Sequence, residues 1–123
     1  MEFDIKKRSL EFAVSVIRFL RELSNDFIVI EISKQLLRSS MSIGANIEEG
    51  DGASSKKDFI HKFSISRKEA RESEYWLKIL IKSDILKGDD HRRVANSLAT
   101  EAEELRKIIS AIIKKASDNE SNI

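Results

Sequence analysis

With 123 residues, 22 basic and 21 acidic side chains and a formal net charge of +1, the chain is sized for one domain and carries no global field toward nucleic acid. It has no cysteine, which excludes a disulfide framework and thiolate metal sites, and its zero prolines and four glycines exclude a turn-rich β fold. No apolar run approaches a membrane span, and Glu2 and Asp4 behind Met1 are unlike a secretory signal, so a cytoplasmic protein with no membrane partner is expected.

The periodicity predicts an all-α fold, one domain over residues 1–123, built of four amphipathic helices. The first spans about 9–24, with Ser9 as N-cap. Leu10, Ala13, Ile17 and Leu20 form one apolar stripe, and Phe12, Val16, Phe19 and Leu23 form a second beside it. Two stripes cover about half the circumference, more than the roughly 100° of a simple surface helix, so this helix is expected to be buried on two sides.

Ser24-Asn25-Asp26 reads as a turn, and the second helix follows over about 29–49. Its leading run, Phe27 to Ile32, is β-prone. Even so, Ile32, Leu36, Ile43 and Ile47 continue at helical spacing, and the chain offers no partner strand. Ser40 and Gly44 share a face without bulky side chains, open to close approach by a neighbour. Asn46 sits beside Ile43 and Ile47, where its amide needs a partner. Gly50 is expected to stop the helix in the left-handed conformation.

The third helix is expected over about 55–86, capped by Ser55 and ended by Gly88. Phe59, Phe63, Ser66, Ala70, Ser73, Leu77 and Leu80 mark a heptad seam with a small-residue middle, expected to lie on the small face of helix two. The fourth, about 90–116, is capped by Asp89 or Asp90. Its stripe runs Val94, Leu98, Ala102, Leu105, Ile109 and Ile112, and the polar tail 117–123 is expected to fray. Short connections between long helices predict an antiparallel up-down-up-down four-helix bundle.

Catalysis finds little footing. There is no cysteine nucleophile, and the two histidines are His61 and His91. Asp58-x-x-His61 is a lone approach to the Glu-x-x-His pairs of di-metal bundles. Gly50-Asp51-Gly52 lacks a phosphate-loop fingerprint. The expectation is therefore no catalytic residue, no metal site, no cofactor and no small-molecule substrate.

The outer face of helix three is more informative. His61, Lys68, Tyr75 and Lys82 recur every seven residues opposite the seam, with Lys57, Arg71 and Lys78 on the same side. Phosphate contact plus base stacking needs such a stripe, although a solvated helix face reads the same way. Beside it lie Ile65, Trp76 and Ile79, a second apolar flank. With Phe12 and Phe19 of the wide first helix, these residues are assigned to self-association. Glu72, within the flank, then needs a partner.

Gln35-Leu36-Leu37-Arg38-Ser39-Ser40, Ser42-Ile43, Asn46-Ile47-Glu48-Glu49-Gly50 and Ser55-Lys56 through Phe59-Ile60 resemble the signature of the bacterial four-helix-bundle proteins encoded in intervening sequences of 23S ribosomal RNA genes. Glu72 matches a further Glu on that family's third helix. The resemblance covers about Leu10 to Ile113. It implies a non-catalytic bundle assembled as a ring-like homo-oligomer, typically a pentamer. A relative, the accessory protein of diversity-generating retroelements, resembles a pentamer with a basic surface engaging nucleic acid and a reverse transcriptase, which implies RNA or a nucleoprotein as a partner here. The motif residues Ser42, Ile43, Asn46, Ile47, Glu49, Gly50 and Glu72 are read as structural, with Asn46, Glu49 and Glu72 joining helices two and three. A protein–protein adaptor without nucleic-acid contact and an enzyme or metal-binding bundle stand as rivals.

Overall fold

The computed structural model describes the backbone of residues 2–121 and the side chains of residues 5–119. Four helices account for nearly all of it: α1 (Glu2–Arg21), α2 (Phe27–Asp51), α3 (Lys56–Lys82) and α4 (Asp89–Ser121). α1 and α3 each pack against α2 and α4, and the diagonal pairs do not meet, which is the cyclic arrangement of a four-helix bundle. Adjacent helices run antiparallel. Lys6 near the start of α1 pairs with Asp51 at the end of α2, and Glu22 after α1 meets His91 at the start of α4. Lys62 of α3 reaches Glu49, whereas Ser73, further along α3, meets Ser39, earlier in α2.

The core is the set of facing stripes. Phe12, Val16 and Phe19 meet Leu36, Ile43 and Ile47, and these close on Phe63, Leu77 and Leu80 and on Ala102, Leu105 and Ile109, all buried. The heptad seam of α3 is buried from Phe63 to Leu80, with Phe59 half-exposed. Each large aliphatic or aromatic side chain so placed contributes roughly 1.5–3 kcal/mol of transfer free energy. The β-prone run from Phe27 is helical because Asp26 caps it, its carboxylate accepting from the Ile28 and Val29 amides at 2.9 and 3.3 Å. Ser55 caps α3 in the same way, accepting from the Asp58 amide at 3.1 Å.

Several boundaries differ from the sequence expectation. α1 begins at Glu2, so Ser9 is no cap. It is buried in mid-helix, donates to the Lys6 carbonyl at 3.0 Å and abuts Gly44 of α2. Helix two runs through Gly50 to Asp51, and its cap is Gly52. Gly50 has no left-handed backbone and lies against the Phe63 ring. α3 stops at Lys82, ahead of Gly88, and Asp84 and Gly88 supply the left-handed steps of the connection at φ 57° and 88°. α4 continues through Ser117 to Ser121, where fraying was expected, while Asn122 and Ile123 fall outside the described residues. Asp89 and Asp90 lie inside its first turn, where negative charge favours the helix dipole. Ala95 takes the buried place expected of Val94, which is 40% exposed.

The small face of α2 serves two neighbours, whereas the sequence suggested one. Ser39, rather than Ser40, meets α3, with its hydroxyl 2.8 Å from that of Ser73. Ser66 donates to the Ile43 carbonyl at 2.7 Å, so both buried hydroxyls of the seam are satisfied across the α2–α3 interface. Gly44 faces α1. The Asn46 amide, expected to join helices two and three, turns back within α2 and donates to the carbonyl and hydroxyl of Ser42 at 2.8 and 3.0 Å. Glu49 and Glu72 do cross to the neighbouring helix, reaching Lys62 at 3.3 Å and Arg38 at 3.1 Å.

Candidate functional site

α3 is held by α2 on one side and α4 on the other, which leaves a single outward face. Lys57, His61, Lys68, Arg71, Tyr75, Lys78 and Lys82 all lie exposed on that face. The reason is geometric: they occupy the arc opposite Phe63, Ala70 and Leu77, and burial of the seam turns them to solvent. Tyr75 is 61% exposed, one turn from both Arg71 and Lys78. Its ring meets the half-buried Trp76 edge-on at 5.5 Å.

Charge on this face is poorly compensated. Lys78 pairs with Glu74 at 3.0 Å, but Lys57, Lys68, Arg71 and Lys82 form no ion pair with any described residue. α4 extends the basic surface. Arg106 approaches the largely buried Glu74 at 3.8 Å, and Lys107 pairs with Glu103 at 3.0 Å. The hydrogen bond from Lys107, then its charge, with smaller contributions from Arg106 and Lys78, hold the Glu103 carboxyl below its ordinary range. Reciprocally, Glu103 raises the ammonium of Lys107. Lys114 stands two turns beyond Lys107 on the same side of α4. Sequence reasoning passed over Arg106 and Lys107 because they join the stripe only when α4 is laid beside α3. The available signal was the Glu103–Lys107 spacing of four, a pair that marks an exposed helix face.

The residues assigned to self-association divide. Phe12 and Phe19 are 2% and 4% exposed and belong to the bundle's own core, which corrects their assignment to an outer surface. The apolar surface of α1 is carried instead by Leu10, Val14 and Ile17, which are 66%, 37% and 37% exposed. Ile65, Trp76 and Ile79 are half-buried along the α2 side of α3. Beside them Arg38 spans two carboxylates, Glu72 at 3.1 Å and the buried Glu69 at 3.4 Å.

Among the described residues no group of three potential metal ligands comes together, and no helix is long and apolar enough to cross a membrane.

The family model for the 23S rRNA-intervening sequence protein matches residues 1–111. A crystal structure described as a protein of unknown function from the S23 ribosomal protein family, from Bacteroides thetaiotaomicron VPI-5482, is 42% identical. The match covers 89% of this chain and 98% of that one, with a TM-score of 0.77. No curated protein matches the chain.

Proposed function

Because this chain belongs to the 23S rRNA-intervening sequence protein family, we propose that it is a non-catalytic, cytoplasmic, homo-oligomeric helical module that binds RNA or a nucleoprotein through the outer face of α3. One observation carries this reading: four cations on one exposed face, Lys57, Lys68, Arg71 and Lys82, have no carboxylate partner among the described residues, in a protein whose overall charge is nearly balanced. Segregated charge of this kind provides phosphate contact without a strongly basic composition.

Binding of this origin releases counterions, so affinity for RNA should fall steeply as salt rises. Fluorescence anisotropy of a labelled RNA, titrated between about 50 and 200 mM salt, reads it directly. Salt-insensitive binding, or no binding at the low end, overturns the proposal.

The exposed stripe Leu10, Val14 and Ile17 supports the self-association part of the reading, for which the ring-like pentamer is the state to test. Light scattering should give the parent protein a multiple of the chain mass and the Leu10→Glu, Ile17→Glu double variant a smaller one. A parent that runs as a monomer at micromolar concentration removes this part. The same stripe favours a second reading, a protein–protein adaptor. That reading requires a pull-down partner that survives nuclease treatment and is lost in the same double variant.

A further inference from the structure

A groove of about 290 Å³ runs between α3 and α4, with Lys78 and Lys82 of the basic stripe in its lining. It is just below the roughly 300–1,000 Å³ of drug-sized ligand pockets, with room for one heterocycle. Ile81 and Ala99 contribute apolar surface for a flat ring, and the two rims differ in chemistry.

The α3 rim carries Lys78 and Lys82, which only donate, and the largely buried Glu74, whose carboxylate is taken up by Lys78 at 3.0 Å and Arg106 at 3.8 Å. The α4 rim carries Asn96, Thr100 and Glu103, and their internal hydrogen bonds leave acceptors free. Asn96 uses its amide N–H on the Arg92 carbonyl at 3.0 Å, which leaves its Oδ1 available. Thr100 donates its proton to the Asn96 carbonyl at 3.1 Å, which leaves the hydroxyl lone pairs. Glu103 gives one oxygen to Lys107 and has a second to offer. Held ionised by Lys107, that carboxylate is an acceptor at neutral pH.

A ligand matched to these rims presents adjacent donors on one edge and acceptors on another. Guanine does this, with N1–H and the N2 amino group on one edge and O6 and N7 on another, the latter pair suited to lysine. In a duplex the N1–H and N2 edge is occupied by pairing, so only an unpaired base offers it. We propose, resting on the basic-face reading above, that the α3–α4 groove takes one unpaired guanine of a single-stranded RNA. Glu103 accepts from its donor edge, and Lys78 and Lys82 contact its acceptors or the adjoining phosphate. Tyr75, one turn from Lys78, offers a stacking face to a neighbouring base.

The test uses uridine octamers carrying one central guanosine, inosine or adenosine, measured by anisotropy at fixed low salt. Against the parent protein, guanosine should bind roughly tenfold tighter than adenosine, with inosine, which lacks the N2 amino group, in between. In Glu103→Gln the preference should shrink to within about twofold, because one strong acceptor becomes an amide. That variant loses only an exposed ion pair, and a uniform gain in affinity from the removed negative charge leaves the ratio unaffected. Equal binding of all three octamers overturns the guanine site and leaves the basic-face reading standing. An unchanged preference in Glu103→Gln overturns the role of Glu103 and with it the site. No binding of any octamer overturns both.

Discussion

Gly50→Ala is expected to destabilise the bundle by about 1–2 kcal/mol, although alanine is the better helix former. A Cβ at this position lies 2.7 Å from Phe63 Cδ1, 2.8 Å from Cε1 and 3.1 Å from the Lys62 Cβ. Phe63 is fully buried and stacked on Phe59 at 4.2 Å, so its ring has nowhere to retreat. Overpacking of a filled core costs roughly 1–3 kcal/mol, against a helix-propensity gain of about 0.5–1 kcal/mol, and the clash wins. Denaturant unfolding should show a lower midpoint with an unchanged slope. Adding Phe63→Leu should give a double variant less destabilised than the two losses combined, since the smaller side chain clears the new methyl group. Gly44→Ala is the contrast. Its Cβ would sit 3.2 Å from the Ser9 hydroxyl, a single small group, so gain and cost should nearly cancel. A Gly50→Ala protein as stable as its parent would show that close helix packing is not the reason for glycine there.

Reversing Lys68, Arg71 and Lys78 to Glu should reduce RNA affinity at about 0.1 M salt by two orders of magnitude or more. It should also flatten the slope of log affinity against log salt by roughly 2–3, close to one for each phosphate contact removed. These residues are exposed, and among the described residues the only ion pair lost is that of Lys78 with Glu74, so the fold should persist by circular dichroism. The control reverses Lys7, Arg18 and Arg21 on α1, the helix diagonal to α3. It changes the net charge by the same amount. A site on α3 predicts a much smaller loss for the α1 variant, whereas non-specific attraction set by net charge predicts equal losses.

Both predictions concern residues visible in the sequence, and the two were legible to different degrees. The α3 stripe could be read because a helix with one clear apolar seam leaves its opposite arc no destination but solvent. His61, Lys68, Tyr75 and Lys82 follow from Phe63, Ala70 and Leu77 by periodicity alone. Gly50 was misread because a glycine near a helix end has two common uses, a left-handed stop and a close contact. The difference between them lies in Phe63, thirteen residues away. Ser9 failed similarly: serine before an apolar run suggests a cap, yet here the helix had already begun and the hydroxyl bonds back to the Lys6 carbonyl. The wide stripe of α1 was recognised, but Phe12 and Phe19 were assigned to the outer surface. Phe12 and Phe19 went inward, and Leu10 and Ile17 remained exposed.

What the chain determined by itself is therefore everything that depends on local periodicity and composition. Four helices, the cap at Ser55, the buried seam of α3 and the basic arc behind it are set by side chains three to seven residues apart. Tertiary structure alone decided what depends on which helix lies beside which. It divided the small face of α2 between Ser9 and Ser73, placed Gly50 against a phenylalanine ring, and set Asn96, Thr100 and Glu103 of α4 across a groove from Lys78 and Lys82. The physical reason is that a helix's sequence specifies which of its faces avoids water, while the angular position of each neighbour around it is settled only when all four apolar faces close on one another.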